Sequence, residues 1–176
     1  VDHDALVALV SGVEAERAGN VAPELPAPPA ETAVRQLFIA KPTEQVHVCL
    51  GAPGIAREDE RRFALRVLDN VFGGTSSSRL FQEVRERRGL AYAVYSFQSL
   101  YAGTGQVGLY LGTRPDNVVQ ALQVVGTELD RLRAEPATGE ELQRSKENVK
   151  GRMVLALEST LARMNRLGSS VLAGMP

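Results

Sequence analysis

Apolar positions along this chain fall into segments of two periods, helical and alternating, separated by glycine and proline. Leu6, Val7, Val10 and Val13 recur at helical spacing, so a helix is predicted over 4–17, with Asp2 or Asp4 as its cap. Four prolines in the seven residues from Pro23 to Pro29 remove backbone donors and favour extended geometry, which makes 22–29 the one obvious linker. Two strands are expected beyond it, 34–40 and 45–52, joined through Lys41-Pro42-Thr43. In the second, Val46, Val48 and Leu50 share one face and His47 and Cys49 the other. Pro53-Gly54 ends it. Glu58, Asp59 and Glu60 suit the first turn of a helix, where the dipole favours acids. Phe63, Ala64, Val67, Leu68, Val71 and Phe72 form that helix's apolar stripe, and Gly73 its stop.

A short helix over 78–88 is expected to bury Leu80, Phe81 and Val84. Strands over 90–97 and 106–112 follow, with the turn signal Tyr101-Ala102-Gly103 between them, and their nearness predicts an antiparallel hairpin. Pro115 opens a helix with Val118, Leu122, Val125, Leu129 and Leu132 inward. Thr138-Gly139-Glu140-Glu141 has the pattern of a capping box and introduces a long helix. Its apolar face runs through Leu142, Val149, Met153, Leu157, Leu161 and Met164, and Gly168 marks its end or a break. Two strands, two helices, two strands and two helices specify an α+β fold rather than a doubly wound one. The expected architecture is a mostly antiparallel sheet with helices packed on one face. Residues 1–18 read as the tail helix of a preceding domain, 19–33 as a proline-rich linker and 34–176 as the main domain, cut short at its end.

Composition excludes more than it selects. With 176 residues, 44% hydrophobic and 23% charged, the chain is long enough for a packed core of ordinary type. A formal net charge of −1 supplies no general drive toward nucleic acid or an anionic membrane. No apolar run approaches the ~20 residues of a membrane span. One cysteine, Cys49, excludes an internal disulfide and a thiolate zinc cluster and fits a reducing compartment. Lysine is confined to Lys41, Lys146 and Lys150 while arginine is abundant, as in chains from GC-rich bacteria, so the expected location is the bacterial cytoplasm. The N-terminal Val-Asp-His-Asp reads as a helix entered in mid-protein rather than a signal peptide.

Several groups are candidates for chemistry. The Gly73-Gly74-Thr75-Ser76-Ser77-Ser78 loop with Arg79 resembles a phosphate cradle, but no G-K-[ST] follows and a helix precedes it, so a helix-to-helix corner is the better reading. His47 and Cys49, about 7 Å apart on one strand face, can in principle share a metal, but two ligands are too few. Glu140, Glu141 and Glu147 sit at cap or salt-bridge spacing, and Ser76, Ser77 and Ser78 have no nearby base. Arg85 ends a helix and Tyr92 begins the next strand, so the two can converge across Gly89. Guanidinium and phenol donors suit a carbonyl, or the oxyanion that forms from it when water attacks. On the residues alone, a solvated Arg-Glu-Arg-Arg helix end, its cations favoured by the C-terminal dipole, with an ordinary strand tyrosine beyond it, is the better reading.

The stretch from Ser78 to Ser96, with an arginine and a tyrosine seven residues apart, resembles the C-terminal domain of the insulinase-like metallopeptidases, the family of pitrilysin and the mitochondrial processing peptidases. Softer agreement at 43–48 and 138–142 extends the resemblance over about 34–168, and the 1–17 helix resembles the end of the family's first domain. The family's zinc motif, H-x-x-E-H, is absent from all 176 residues. The resemblance therefore implies a processing-peptidase-like domain that forms the non-zinc half of a zinc endopeptidase. It implies that Arg85 and Tyr92 reach a zinc site held elsewhere, grip peptide or unfolded protein at the cleavage point, and stabilise the tetrahedral intermediate. The zinc half is expected upstream in the same polypeptide or in a partner subunit of a homo- or heterodimer; neither nucleic acid nor membrane is expected as a partner. This chain alone is expected to bind no metal and to be inactive. Two alternatives remain: a non-catalytic family member acting as a partner or structural subunit, and a free-standing module that binds peptide at an open sheet edge.

Overall fold

The computed structural model describes residues 2–17 and 39–174. The chain divides into two compact units, Val1–Glu31 and Thr32–Pro176. In the first, helix α1 (His3–Arg17) begins at Asp2, whose carboxylate accepts from the Ala5 N–H at 2.9 Å. That bond satisfies one of the free donors of the first turn. The proline-rich segment and residues 34–38 of the first expected strand lie outside the described residues; Ile39 and Ala40 have no regular structure.

In the second unit, β1 (Val46–Pro53), β2 (Ala91–Tyr101) and β3 (Thr104–Thr113) form an antiparallel sheet in the order β1-β3-β2. The expected hairpin is β2–β3, closed by Ala102-Gly103, with Gly103 in the left-handed region at φ 71°. Register sorts the side chains by face. Val48 and Val94 flank Leu111, while His47 and Ala93 flank Gly112 on the opposite face. Helices α2 (Arg62–Phe72) and α3 (Val118–Ala134) supply Phe72, Ala121 and Val125 to the first of these faces, where Leu109 and Leu111 are buried. The α+β class and the one-sided helical layer thus follow from the pattern.

Boundaries moved where local hydrogen bonds compete. The acidic run does not enter α2, because the Asp59 carboxylate accepts from the Arg61 backbone N–H at 2.8 Å and from its guanidinium, forming a turn that delays the helix to Arg62. The expected long helix is two. Helix α4 (Gly139–Ala156) starts with the full capping box of Thr138 and Glu141. Helix α5 (Thr160–Ala173) starts afresh at Ser159, whose hydroxyl accepts from the Ala162 N–H at 3.3 Å. Gly168 lies inside α5, and the left-handed Gly174 ends it. The apolar side chains along this pair, including Met153, Leu157, Leu161 and Met164, are exposed.

Candidate functional site at the Arg85–Tyr92 turn

The short helix expected over 78–88 contains a π-helical stretch, Phe81–Glu86, closed by a five-residue bond from the Arg87 N–H to the Gln82 carbonyl at 2.9 Å. One extra residue in the turn changes which side chains face the sheet, and such turns concentrate at functional sites. Leu80 and Val84 are fully buried as expected, but Phe81 is only half-buried. Gly89 ends the helix at φ 59°, donating to the Arg85 carbonyl at 3.0 Å, and the Leu90 N–H reaches the Val84 carbonyl at 2.9 Å. A left-handed residue is what this reversal needs, and glycine takes it without steric cost. The chain then doubles back into β2.

Strand β2 opens with a bulge. Ala91 pairs with Thr113 and Ala93 with Gly112, which leaves Tyr92 without a cross-strand partner. A bulged residue is re-aimed relative to the pleat, and Tyr92 is 76% exposed. Its ring meets Arg85. The guanidinium carbon lies 4.6 Å from the centre of the Tyr92 ring and 4.8 Å from that of Phe81. Arg85 is thus stacked on two aromatic rings, contacts worth about 0.5–1 kcal/mol each at exposed sites. A guanidinium held by its faces keeps its N–H edge for other partners. Among the described residues its only ion pair is a loose one with Glu86, at 3.7 Å.

The neighbouring arginines are occupied. Glu83 is buried and takes both Arg87 and Arg88 as ion partners. Arg88 also donates to the Glu83 carbonyl at 2.9 Å. The Arg88 hydrogen bond, opposed by burial and aided by both cations, lowers the Glu83 pKa. So the Arg-Glu-Arg-Arg run is not a uniform solvated end: Arg87 and Arg88 are paired with Glu83, and Arg85 is stacked on Tyr92 and Phe81. Periodicity assigns Phe81 to the core and gives Glu83 no role, whereas Phe81 lies against Arg85 and Glu83 is buried. The i, i+4 spacing of Phe81 to Arg85 was the available signal.

Other candidates resolve into structural roles. Arg79 is committed to Glu141, with Nε to Oε1 at 2.7 Å and Nη2 to Oε2 at 2.9 Å, so it is not a phosphate ligand here. That bond holds the Glu141 carboxyl at about 2, and the Thr138 N–H assists. Ser78 is buried and its hydroxyl accepts from the Phe81 N–H at 3.4 Å, as an N-cap. His47 Nδ1 meets the Tyr110 hydroxyl at 2.7 Å, and Cys49 is exposed. Zinc needs about four ligands, or three and a water. Among the described residues no group of three or more His, Cys, Asp or Glu side chains can hold a metal. The described residues do not fit a zinc ion.

The site thus lies on a domain that packs helices on one face of an antiparallel sheet and brings Arg85 against Tyr92 at a glycine turn. Residues 1–149 match the family described as "Peptidase M16 inactive domain", and the chain belongs to that family. It is 45% identical over 179 residues to an "uncharacterized zinc protease" of Streptomyces coelicolor, covering 98% of this chain and 39% of that protein. A Bacillus subtilis protein of the same description is 46% identical over 132 residues, covering 75% of this chain and 32% of that one. The chain thus spans about a third to two fifths of the curated relatives it matches. Among solved structures, the peptidase M16 inactive domain from Pseudomonas fluorescens aligns with a TM-score of 0.69 at 28% identity, covering 77% of this chain and 32% of that chain. A protease from Helicobacter pylori shares the fold at TM-score 0.69 and 21% identity, covering 77% of this chain and 33% of its own. No helix among the described residues is long and apolar enough to cross a membrane.

Proposed function

We propose that this chain is the substrate-gripping half of a cytoplasmic zinc-dependent endopeptidase, with Arg85 and Tyr92 holding the peptide carbonyl at the cleaved bond. The zinc belongs to a domain upstream of residues 1–18 in the same polypeptide or to a partner subunit, with 19–33 as the connector. The observation that carries this reading is the convergence of Arg85 and Tyr92 across Gly89, with the guanidinium 4.6 Å from the Tyr92 ring centre. The relatives described as zinc proteases support it. In this reading the metal supplies an activated water from outside this chain. Arg85 and Tyr92 bind and orient the carbonyl, and their donors follow the oxygen as it gains charge.

The test is steady-state kinetics on the full-length protein, with zinc content measured beside it. Arg85→Ala and Tyr92→Phe are each expected to lower kcat by about 10²–10³ while zinc content stays constant, the usual loss for one oxyanion donor. A raised KM at unchanged kcat would assign them to ground-state binding instead. Arg66→Ala, an exposed arginine on α2, is the control, since Arg87 is held by Glu83. Constants within about twofold of wild type at both positions, the range of surface substitutions, would end the assignment.

A further inference from the structure

We propose that Thr113 and Asn117 are positioning residues for the proposed cleavage: by holding the Leu90 carbonyl, they fix the direction in which the Tyr92 hydroxyl points. This rests on the function proposed above and extends its site to two side chains that the sequence pattern gives no role. The Leu90 carbonyl accepts from the Thr113 hydroxyl at 2.5 Å and from the Asn117 amide at 3.3 Å. A carbonyl oxygen has two lone pairs, and here both are taken by side chains 23 and 27 residues further along the chain. Thr113 is 2% exposed and ends β3, the central strand. Asn117 comes immediately before α3, yet its side chain gives that helix no cap. Asparagine in front of a helix ordinarily accepts an N–H of the first turn; this one reaches Leu90 instead.

Leu90 is the residue from which Tyr92 takes its bearing. Its side chain is buried in the core, and its N–H donates to the Val84 carbonyl at 2.9 Å. With the carbonyl held as well, Leu90 is fixed through its side chain and both of its backbone groups. The peptide unit from Leu90 to Ala91 is planar, so a fixed Leu90 carbonyl sets the path by which the chain enters Ala91 and Tyr92. The ladder cannot do this for Tyr92, which the bulge leaves without a cross-strand partner and 76% exposed. The backbone ahead of it therefore aims its ring and hydroxyl, and Arg85 is stacked on that same ring at 4.6 Å. Thr113 also pairs with Ala91 across the sheet, so it holds the chain on both sides of the Leu90–Ala91 peptide. Loss of either donor frees that peptide to rotate about the bond that remains, and the bulge turns with it. A misplacement of about 1 Å at a reacting group is enough to slow a reaction about 10²-fold.

The experiment measures kcat, KM and zinc content of the full-length protein with fluorogenic peptides. Thr113→Val keeps the shape of the side chain and removes only its hydroxyl, and Asn117→Ala removes the amide. Each is expected to lower kcat by about 10-fold to 10²-fold, with KM within about twofold and zinc content unchanged. Thr113→Ser restores the hydroxyl and should recover most of the rate. In a Tyr92→Phe background Thr113→Val should cost far less, because the hydroxyl that it aims is gone and residues acting as one unit are not additive. If Thr113→Val fails to fold by circular dichroism, Asn117→Ala, at a half-buried position, carries the same comparison. Unchanged kcat in Thr113→Val and Asn117→Ala, while Tyr92→Phe is slow, overturns the inference. So does an equal loss in the wild-type and Tyr92→Phe backgrounds, the mark of a general folding defect, or a Thr113→Ser protein as slow as Thr113→Val. Wild-type protein that cuts none of the peptides, or Arg85→Ala and Tyr92→Phe at wild-type rates, overturns the proposed function and this inference with it, a result distinct from the others.

Discussion

Arg79 and Glu141 illustrate how one pair of side chains can join distant parts of the chain. The two are 62 residues apart, and both side chains are mostly buried, with 10% and 18% exposure. Glu141 also completes the cap of α4, so its carboxylate fastens the loop before the π-turn to the start of that helix. Its pKa falls from 4.5 to about 2, so the native state holds the charged form more tightly than the unfolded chain does. A depressed carboxyl contributes stability that is complete above the unfolded pKa and lost as pH falls through the folded one. Glu141→Gln is therefore expected to cost about 2 kcal/mol near pH 7 and progressively less between about pH 4.5 and pH 2. Urea unfolding of both proteins across that range is the measurement. An unchanged difference at the acid end would mean that the carboxylate's charge is not what matters. In the core, Leu111 is 0% exposed. Leu111→Ala should cost about 2–5 kcal/mol by the same unfolding assay, the range for a cavity left by a buried leucine.

The turn from the π-helix into β2 is an element whose geometry the site depends on. Gly89 has φ 59°, and a Cβ added there would meet nothing within 4 Å. The cost of Gly89→Ala is therefore conformational alone, about 1–2 kcal/mol for a left-handed non-glycine residue. If the turn relaxes to avoid it, Arg85 and Tyr92 separate. Thermal unfolding should record the stability loss, and activity of the full-length protein should fall by more than that loss predicts. Normal activity with lowered stability would show that the turn serves folding only. Phe81 supports the same arrangement from the other side of the guanidinium, at 4.8 Å. Gly105 offers a contrast, because a Cβ there would lie 1.9 Å from the Ile55 carbonyl oxygen. Gly105→Ala must push two backbone segments apart, so it should lower the melting temperature more than Gly89→Ala does, which scanning calorimetry would rank directly.

Across the domain, apolar surface is distributed unevenly. The sheet, α2 and α3 enclose a core, whereas Met153, Leu161, Met164 and Leu172 on α4 and α5, and Leu157 between them, stay exposed. Exposed apolar side chains in such number promote association. The 176-residue chain is accordingly expected to self-associate as its concentration rises, and Leu161→Glu with Met164→Glu should shift it toward monomer. Sedimentation velocity at several concentrations checks this. A monomer at all concentrations in the parent chain would show that the face does not mediate association.

Local pattern by itself determined the β2–β3 hairpin, the faces of β1 and the capping box at Thr138, because each is set by neighbours a few residues away, and the order of elements determined the α+β class. It also placed Arg85 and Tyr92 on either side of a glycine reversal. Only the tertiary structure decided what those residues touch. The π-turn and the bulge at Tyr92 each insert one residue against a partner element, and neither leaves a period of its own in the sequence. Those two insertions turn Phe81 from the core toward Arg85 and free Tyr92 from the ladder. The division of the long apolar helix at Ser159 was likewise hidden, since the same stripe continues through both halves. Glu83 meets Arg87 at the local i, i+4 spacing, but that its carboxylate is buried and takes Arg88 as well is a matter of packing.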